Sequence, residues 1–287
     1  MTIDTVSRLL MARRADSPTA LLGIAEAPMA LGDAVDSAAS RAHALLARGL
    51  VPGEPVALVG ENSNDWLLTW MACQLAGLPT ALINPSFPDE LMSEVLTPLA
   101  PQAVLSTDAR PAPPSVADGW IDARGLIGGT GGTAALPGLR AEGSDLSAFM
   151  LTWGTTGPPK LVAQSQRYFV SLGRYIADGL GLTGRDTVLT PLPLFHINPL
   201  GYGVLGSLSA RASCLSLPRF LGALVLVAGP GYRCHRRDPA RAAAGDPQAP
   251  HDIGRRGGAR VARGVLRGSR VPDLVRRPAR SLRLRVD

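Results

Sequence analysis

Apolar residues recur along the first 110 positions with alternating helical and strand periods, and the alternation predicts an α/β chain. Leu31, Val35, Ala38, Ala42, Leu45 and Leu46 fall on one helical face that Gly49 ends. Val56–Val59 is a continuous apolar run between Pro55 and Gly60, the pattern of a strand buried on both faces. Asn62 or Ser63 can cap the next helix, which runs through Trp66, Leu67, Trp70, Met71 and Leu75 and stops at Gly77. Ala81–Ile83 is a second buried strand. Ser86 and Pro88 open a helix through Leu91, Val95 and Leu99, and Ala103–Leu105 is a third strand. Strands separated by single helices imply a doubly wound, mostly parallel sheet.

Residues 111–145 are rich in Pro and Gly and are expected to form a surface connection. The pattern then predicts a strand at Phe149–Thr152, a Gly/Thr loop over 154–160 and a helix over 166–177. Val188–Thr190 reads as a strand, followed by the Pro-rich segment PLPLFHINPL, a small-residue helix over 200–209 and a last strand at Cys214–Leu217.

Composition narrows the class. A chain of 287 residues with 46% hydrophobic content can bury a sizeable core and is not disordered as a whole. The longest apolar run, Leu221–Ala228 with its flanks, is too short to span a bilayer, and the N-terminus has no apolar signal core. Cys73, Cys214 and Cys234 are far apart with no CxxC pair. This argues against a disulfide framework or a zinc ribbon and fits a cytoplasmic protein. His235 beside Cys234, and His251, lack metal-ligand spacing.

Charge divides the chain. Residues 1–220 carry 14 Lys+Arg against 18 Asp+Glu, a net of −4, whereas 221–287 carry 15 Arg against 5 Asp, a net of +10. The expected division is therefore an enzyme-like part, 1–220, and an irregular Arg-rich tail, 221–287, whose low aliphatic content and high charge predict disorder. A tail with 15 Arg and no Lys, and no periodicity, is also what GC-rich DNA yields when read in a shifted frame. The rival is a basic arm that binds nucleic acid through phosphate contacts. Such an arm would mix Lys with Arg, so a nucleic-acid partner is not the favoured expectation.

The strongest chemical signal is Thr152-Trp153-Gly154-Thr155-Thr156-Gly157-Pro158-Pro159-Lys160. Gly154 and Gly157 let backbone N–H groups turn toward an anion. Thr152, Thr155 and Thr156 add hydroxyl donors, and Lys160 adds a compact cation suited to phosphate oxygens. Lys160 is the only lysine in the chain, against 28 Arg. The GxxGxxK spacing is not that of a Walker A loop. Gly201-Tyr-Gly203-Val-Leu-Gly206 matches GxGxxG, but a Pro-rich loop precedes it and Leu226 stands where the acidic residue belongs. Close helix packing by small residues is the better account.

The Thr152–Lys160 segment resembles the phosphate loop of the AMP-forming acyl-CoA synthetase (adenylate-forming ligase, AMP-binding) superfamily. It matches at Thr152, Gly154, Thr155, Thr156, Gly157, Pro159 and Lys160, and departs at Trp153 and Leu161, where the family has a small residue and Gly. GENSNDWLLTWMACQLAGLPTALINPSFPDEL is similar to the family's early helix–strand unit, and PLPLFHINPLGYG to its next motif, with His196 at the acyl pocket and near the thiol path. The resemblance implies the large N-terminal domain of an adenylate-forming enzyme, in part. It implies activation of a carboxylic acid, fatty or related, through acyl-AMP to its coenzyme A thioester, with ATP, Mg2+ and coenzyme A. Thr152, Trp153, Gly154, Thr155, Thr156, Gly157 and Lys160 would then lie at the nucleotide, Thr155 at the magnesium, and Lys160 and His196 at the chemistry. The family's later segments, Tyr-Gly-x-Thr-Glu and Thr-Gly-Asp, are not found, so the chain is expected to be an N-terminal fragment incompetent for adenylation alone. The alternative is a non-catalytic nucleotide-binding protein.

Overall fold

The structure is a computed structural model that describes residues 3–113, 119–127, 136–152 and 159–218 with their side chains. Of 224–228 and 233–236 it describes the backbone. The chain runs through α1 (Val6–Asp16), β1 (Leu21–Ile24), β2 (Met29–Ala30), α2 (Leu31–Ala47), β3 (Val56–Val59), α3 (Asn64–Ala76), β4 (Thr80–Ile83), α4 (Asp89–Leu99) and β5 (Val104–Ser106). It continues through β6 (Trp120–Asp122), β7 (Leu146–Thr152), β8 (Lys160–Ser165), α5 (Gln166–Leu180), β9 (Thr187–Thr190), α6 (Gly206–Ala210), β10 (Ser213–Ser216), β11 (Leu224–Ala228) and β12 (Arg233–Arg236).

The α/β class is as expected, with the parallel strands divided between two sheets. The first has the order β2-β1-β10-β9-β11-β12, the second β6-β5-β3-β4-β7-β8. In the second sheet β3 pairs in parallel with both β4 and β5, β4 with β7, and β5 with β6. In the first, β10 pairs in parallel with β1 and β9, and β11 joins β9 antiparallel. The backbone of 224–228 thus belongs to the first sheet, beyond the change in composition at 220. The tail residues 237–287 lie outside the described residues.

The strand period explains the layering. Val56 and Leu58 of β3, Leu82 of β4 and Leu105 of β5 enter one core, shared with α1, α2, α3, α5 and the inner face of the first sheet at Leu22 and Cys214. Their alternates Ala57, Val59, Ala81, Ile83 and Val104 enter a second core, closed by Met92, Val95 and Leu96 of α4. Every residue of α3 from Trp66 to Ala76 is buried, as a helix apolar on all sides must be. Of the two possible caps, Ser63 is the one used. Its hydroxyl accepts from the Trp66 N–H at 3.0 Å, and Gly77 ends the helix at φ 72°.

Three features differ from expectation. The elements α1, β1 and β2 were not signalled, since Arg8, Arg13 and Arg14 interrupt the short apolar stripe of α1. Tertiary contacts decide there, with Arg13 buried and paired to Asp16 at 3.0 Å. The connection 111–145 contributes β6, an edge strand of three residues that exists through its pairing with β5. The Gly/Thr loop does not run into a helix directly, because β8 intervenes before α5.

Candidate nucleotide and acyl site

The Gly/Thr segment is the loop of a β-hairpin. β7 and β8 pair antiparallel from Leu146↔Ser165 to Thr152↔Lys160, so Thr152 and Lys160 form the last pair before the loop. Trp153, Gly154, Thr155, Thr156 and Gly157 lie outside the described residues. The Thr152 hydroxyl donates to the Lys160 carbonyl at 3.4 Å, and both residues are exposed. Lys160 makes no ion pair among the described residues. An exposed hydroxyl and an uncompensated ammonium at one loop base suit an anionic ligand.

Ser165 ends β8 and caps α5, its hydroxyl accepting from the Tyr168 N–H at 3.3 Å. Gln166, the first residue of α5, is buried and anchors the hairpin from below. Its Nε2 donates to Gln74 Oε1 at 3.1 Å, its Oε1 accepts from the Val6 N–H at 2.9 Å, and Ser147 Oγ of β7 donates to the same Gln74 oxygen at 2.7 Å. A satisfied buried network of this kind holds the hairpin in one orientation against α3.

His196 follows β9, at the carboxyl end of a parallel strand, where open α/β sheets place their ligands. Its backbone N–H donates to Pro193 O at 3.1 Å, and its ring lies against Phe195 with centroids 4.4 Å apart. Partial desolvation there pushes the imidazole below its ordinary range, although the residue as a whole is exposed. Beyond it, Pro199–Leu205 winds as a wide π-helical segment. The glycines of the GxGxxG match pack rather than bind. A Cβ on Gly201 would lie 2.7 Å from Leu172 Cδ2, one on Gly203 3.1 Å from Thr190 Cγ2, and one on Gly206 3.0 Å from Ile176 Cγ2.

Two asparagines at the β3–α3 junction do more than the sequence suggested, where Asn62 was a cap candidate and Asn64 was not singled out. Asn62 Nδ2 donates to Leu192 O and Leu217 O, each at 2.9 Å, and its Oδ1 accepts from the Leu194 N–H at 2.7 Å. Asn64 Oδ1 accepts from the Ile24 N–H at 2.8 Å and its Nδ2 donates to Ala27 O at 2.7 Å. The turn at the end of a strand of the second sheet therefore clasps the strand ends of the first. The only available signal was two amides directly after a buried strand.

The sequence matches the family of AMP-binding enzymes over residues 10–226, and the chain belongs to that family. It is 28% identical over 190 residues to a long-chain-fatty-acid–CoA ligase, FadD13, of Mycobacterium tuberculosis, covering 62% of this chain and 38% of that one. It is 28% identical over 154 residues to the 2-succinylbenzoate–CoA ligase of Escherichia coli, covering 54% and 32%. The chain thus spans less than half the length of these curated relatives. The inhibitor-bound N-terminal domain of FACL13 from Mycobacterium tuberculosis superposes with a TM-score of 0.63 at 24% identity, covering 75% of this chain and 57% of that one. The o-succinylbenzoate coenzyme A synthetase of Bacillus subtilis in complex with AMP superposes with a TM-score of 0.61 at 22% identity, covering 74% and 56%. These likenesses establish the fold, the N-terminal domain of adenylate-forming enzymes. No helix among the described residues is long and apolar enough to cross a membrane.

Proposed function

We propose that this chain carries the nucleotide-binding part of an ATP-dependent acid–coenzyme A ligase of the cytoplasm. In that reaction the carboxylate attacks the α-phosphate, forming acyl-AMP and releasing pyrophosphate. The coenzyme A thiol then displaces AMP to give the thioester. Both partners of the first step are anions, so fixed donors must face the place where negative charge develops. The observation that carries this reading is the pairing of Thr152 with Lys160, the only lysine, at the base of the hairpin loop in a member of the AMP-binding family.

Lys160 supplies its ammonium to the ATP phosphates, and the Thr152 hydroxyl turns its proton to them from the Lys160 carbonyl. Trp153, Gly154, Thr155, Thr156 and Gly157 complete the loop around them, with Thr155 assigned to the magnesium ion. His196 lines the acyl pocket beside the thiol path. Partial desolvation lowers the basicity of the imidazole, which favours its uncharged form beside an acyl group. A fatty or related acid is the substrate class, since relatives act on long-chain and medium-chain fatty acids and on aryl acids such as salicylate. The ligase part is 1–220 together with the strand β11 that joins its first sheet, and the Arg-rich residues beyond it lie outside the family match.

Calorimetric titration of the chain with ATP and magnesium tests the reading. Saturable binding that weakens in Lys160→Ala supports it. A folded chain that binds no ATP overturns it.

A further inference from the structure

Asn62 is buried, and its side-chain amide is almost fully used. Both Nδ2 protons go to carbonyls, of Leu192 and Leu217, and Oδ1 takes the Leu194 N–H. The partners lie 130 to 155 residues away in sequence, on the loop after β9 and just past β10. No other side chain of similar size satisfies this set. A leucine leaves two carbonyls and an N–H unpaired, and an aspartate keeps the acceptor while turning an anion on two carbonyl oxygens.

The bonds lead directly to His196. Leu192 and Leu194 flank Pro193, and the Pro193 carbonyl accepts the His196 N–H at 3.1 Å. Leu194 is buried, and Phe195 carries the ring that lies against the imidazole. Two anchored residues on either side of a proline leave the segment little freedom before the imidazole. We propose that Asn62 is a positioning residue for His196, its amide fixing residues 192–194 to the end of β10 and so the place of the imidazole at the strand ends. The proposal rests on the reading above only in assigning that imidazole to the acyl and thiol path. Asn64, the first residue of α3, gives its side-chain hydrogen bonds to β1 and the residues after it rather than to this loop.

The test is the NMR signature of the His196 ring in the 287-residue chain, at a pH where the imidazole is neutral, assigned through His196→Gln. Asn62→Ala and Asn62→Asp are each expected to move the ring protons toward their free-peptide positions, as the ring contact with Phe195 is lost. Asn64→Ala is expected to leave them in place. A folded Asn62→Ala chain with unchanged His196 resonances overturns the proposal, as does an equal change in Asn64→Ala. If neither Asn62 variant folds, hydrogen exchange of the unaltered chain decides. Protection of the Leu194 amide comparable to that of β3 supports the clasp, and free exchange overturns it. ATP titration of the unaltered chain runs in parallel. Its failure removes the ligase reading and leaves the His196 result standing.

Discussion

Thr152 and Lys160 are directly opposed across β7 and β8, tied by a hydrogen bond from the Thr152 hydroxyl to the Lys160 carbonyl at 3.4 Å. Opposed residues of an antiparallel pair project from the same face, so hydroxyl and ammonium point to one side of the loop base. A charge-assisted contact to phosphate contributes about 1.5–3 kcal/mol. Lys160→Ala is therefore expected to weaken ATP binding by roughly 10- to 100-fold. Because Lys160 is exposed, thermal stability should stay within about 0.5 kcal/mol of the parent. Lys160→Arg should recover part of the affinity, since the charge is kept and the point geometry is lost. Titration calorimetry with parallel melts separates the two effects. Equal affinities for parent and Lys160→Ala would exclude the lysine from the phosphate site.

The two described cysteines give a pH prediction with a definite sign. Burial pushes the thiols of Cys73 and Cys214 up to about 12, with the nearby hydroxyls of Thr80 and Ser207 respectively opposing the shift. An unfolded thiol loses its proton near ~8.5. Below that pH both states are protonated and the full stability is present. Between there and about 12 the unfolded state deprotonates first, so stability falls as pH rises. Each thiol should contribute a loss of roughly 1.4 kcal/mol per pH unit in that window. Denaturant melts at pH 8, 9 and 10 should show the slope in the parent and a shallower one in Cys73→Ala and Cys214→Ala. Alkylation at pH 8, mapped peptide by peptide, should spare both residues until denaturant is added. Rapid native labelling of either would contradict their burial.

The elements that the residue pattern announced are those whose neighbours do not alter the local preference. Val56–Val59 and Ala81–Ile83 are apolar without interruption because both faces are buried, and the α3 helix has a hydroxyl cap and a terminal glycine. What was illegible depends on pairing across long separations. β6 is three residues long and β8 alternates weakly, so each takes strand form from its partner, β5 or β7. At the candidate site, residue type and spacing singled out Thr152 and Lys160, whereas His196 was singled out by the family resemblance alone. The Asn62 clasp was not, because nothing local distinguishes an asparagine that caps a helix from one that reaches a loop 130 residues away.

The end of the family match gives a prediction about the gene. The match ends at residue 226, a few residues before the arginine-rich sequence that begins at Arg233. If a shifted frame produced residues from about 221, one of the two other frames of the same DNA encodes acid–CoA ligase-like sequence downstream. A Tyr-Gly-x-Thr-Glu segment and a Thr-Gly-Asp segment in that frame would be the specific result. Two other frames with no such sequence would assign the basic segment to the protein as it is read.

Gly173 lets α5 lie against the π-helical segment that follows His196. A Cβ there would stand 2.6 Å from the Leu205 carbonyl oxygen, 2.9 Å from its carbon and 2.7 Å from Ser209 Oγ. Two of these atoms are backbone, so no rotamer change relieves the clash. Gly173→Ala is also a change that raises intrinsic helix preference by about 1 kcal/mol, which opposes the clash. Overpacking at a close backbone contact costs about 1–3 kcal/mol, so the packing term is expected to win and the variant to be less stable. The expected release of the strain is displacement of Pro199–Leu205 away from α5. The ring signals of His196 should therefore shift in Gly173→Ala, while those of Trp66 and Trp70, deep in α3, should not. A more stable Gly173→Ala chain, measured by thermal melts, would mean that the helix and the segment do not meet this closely.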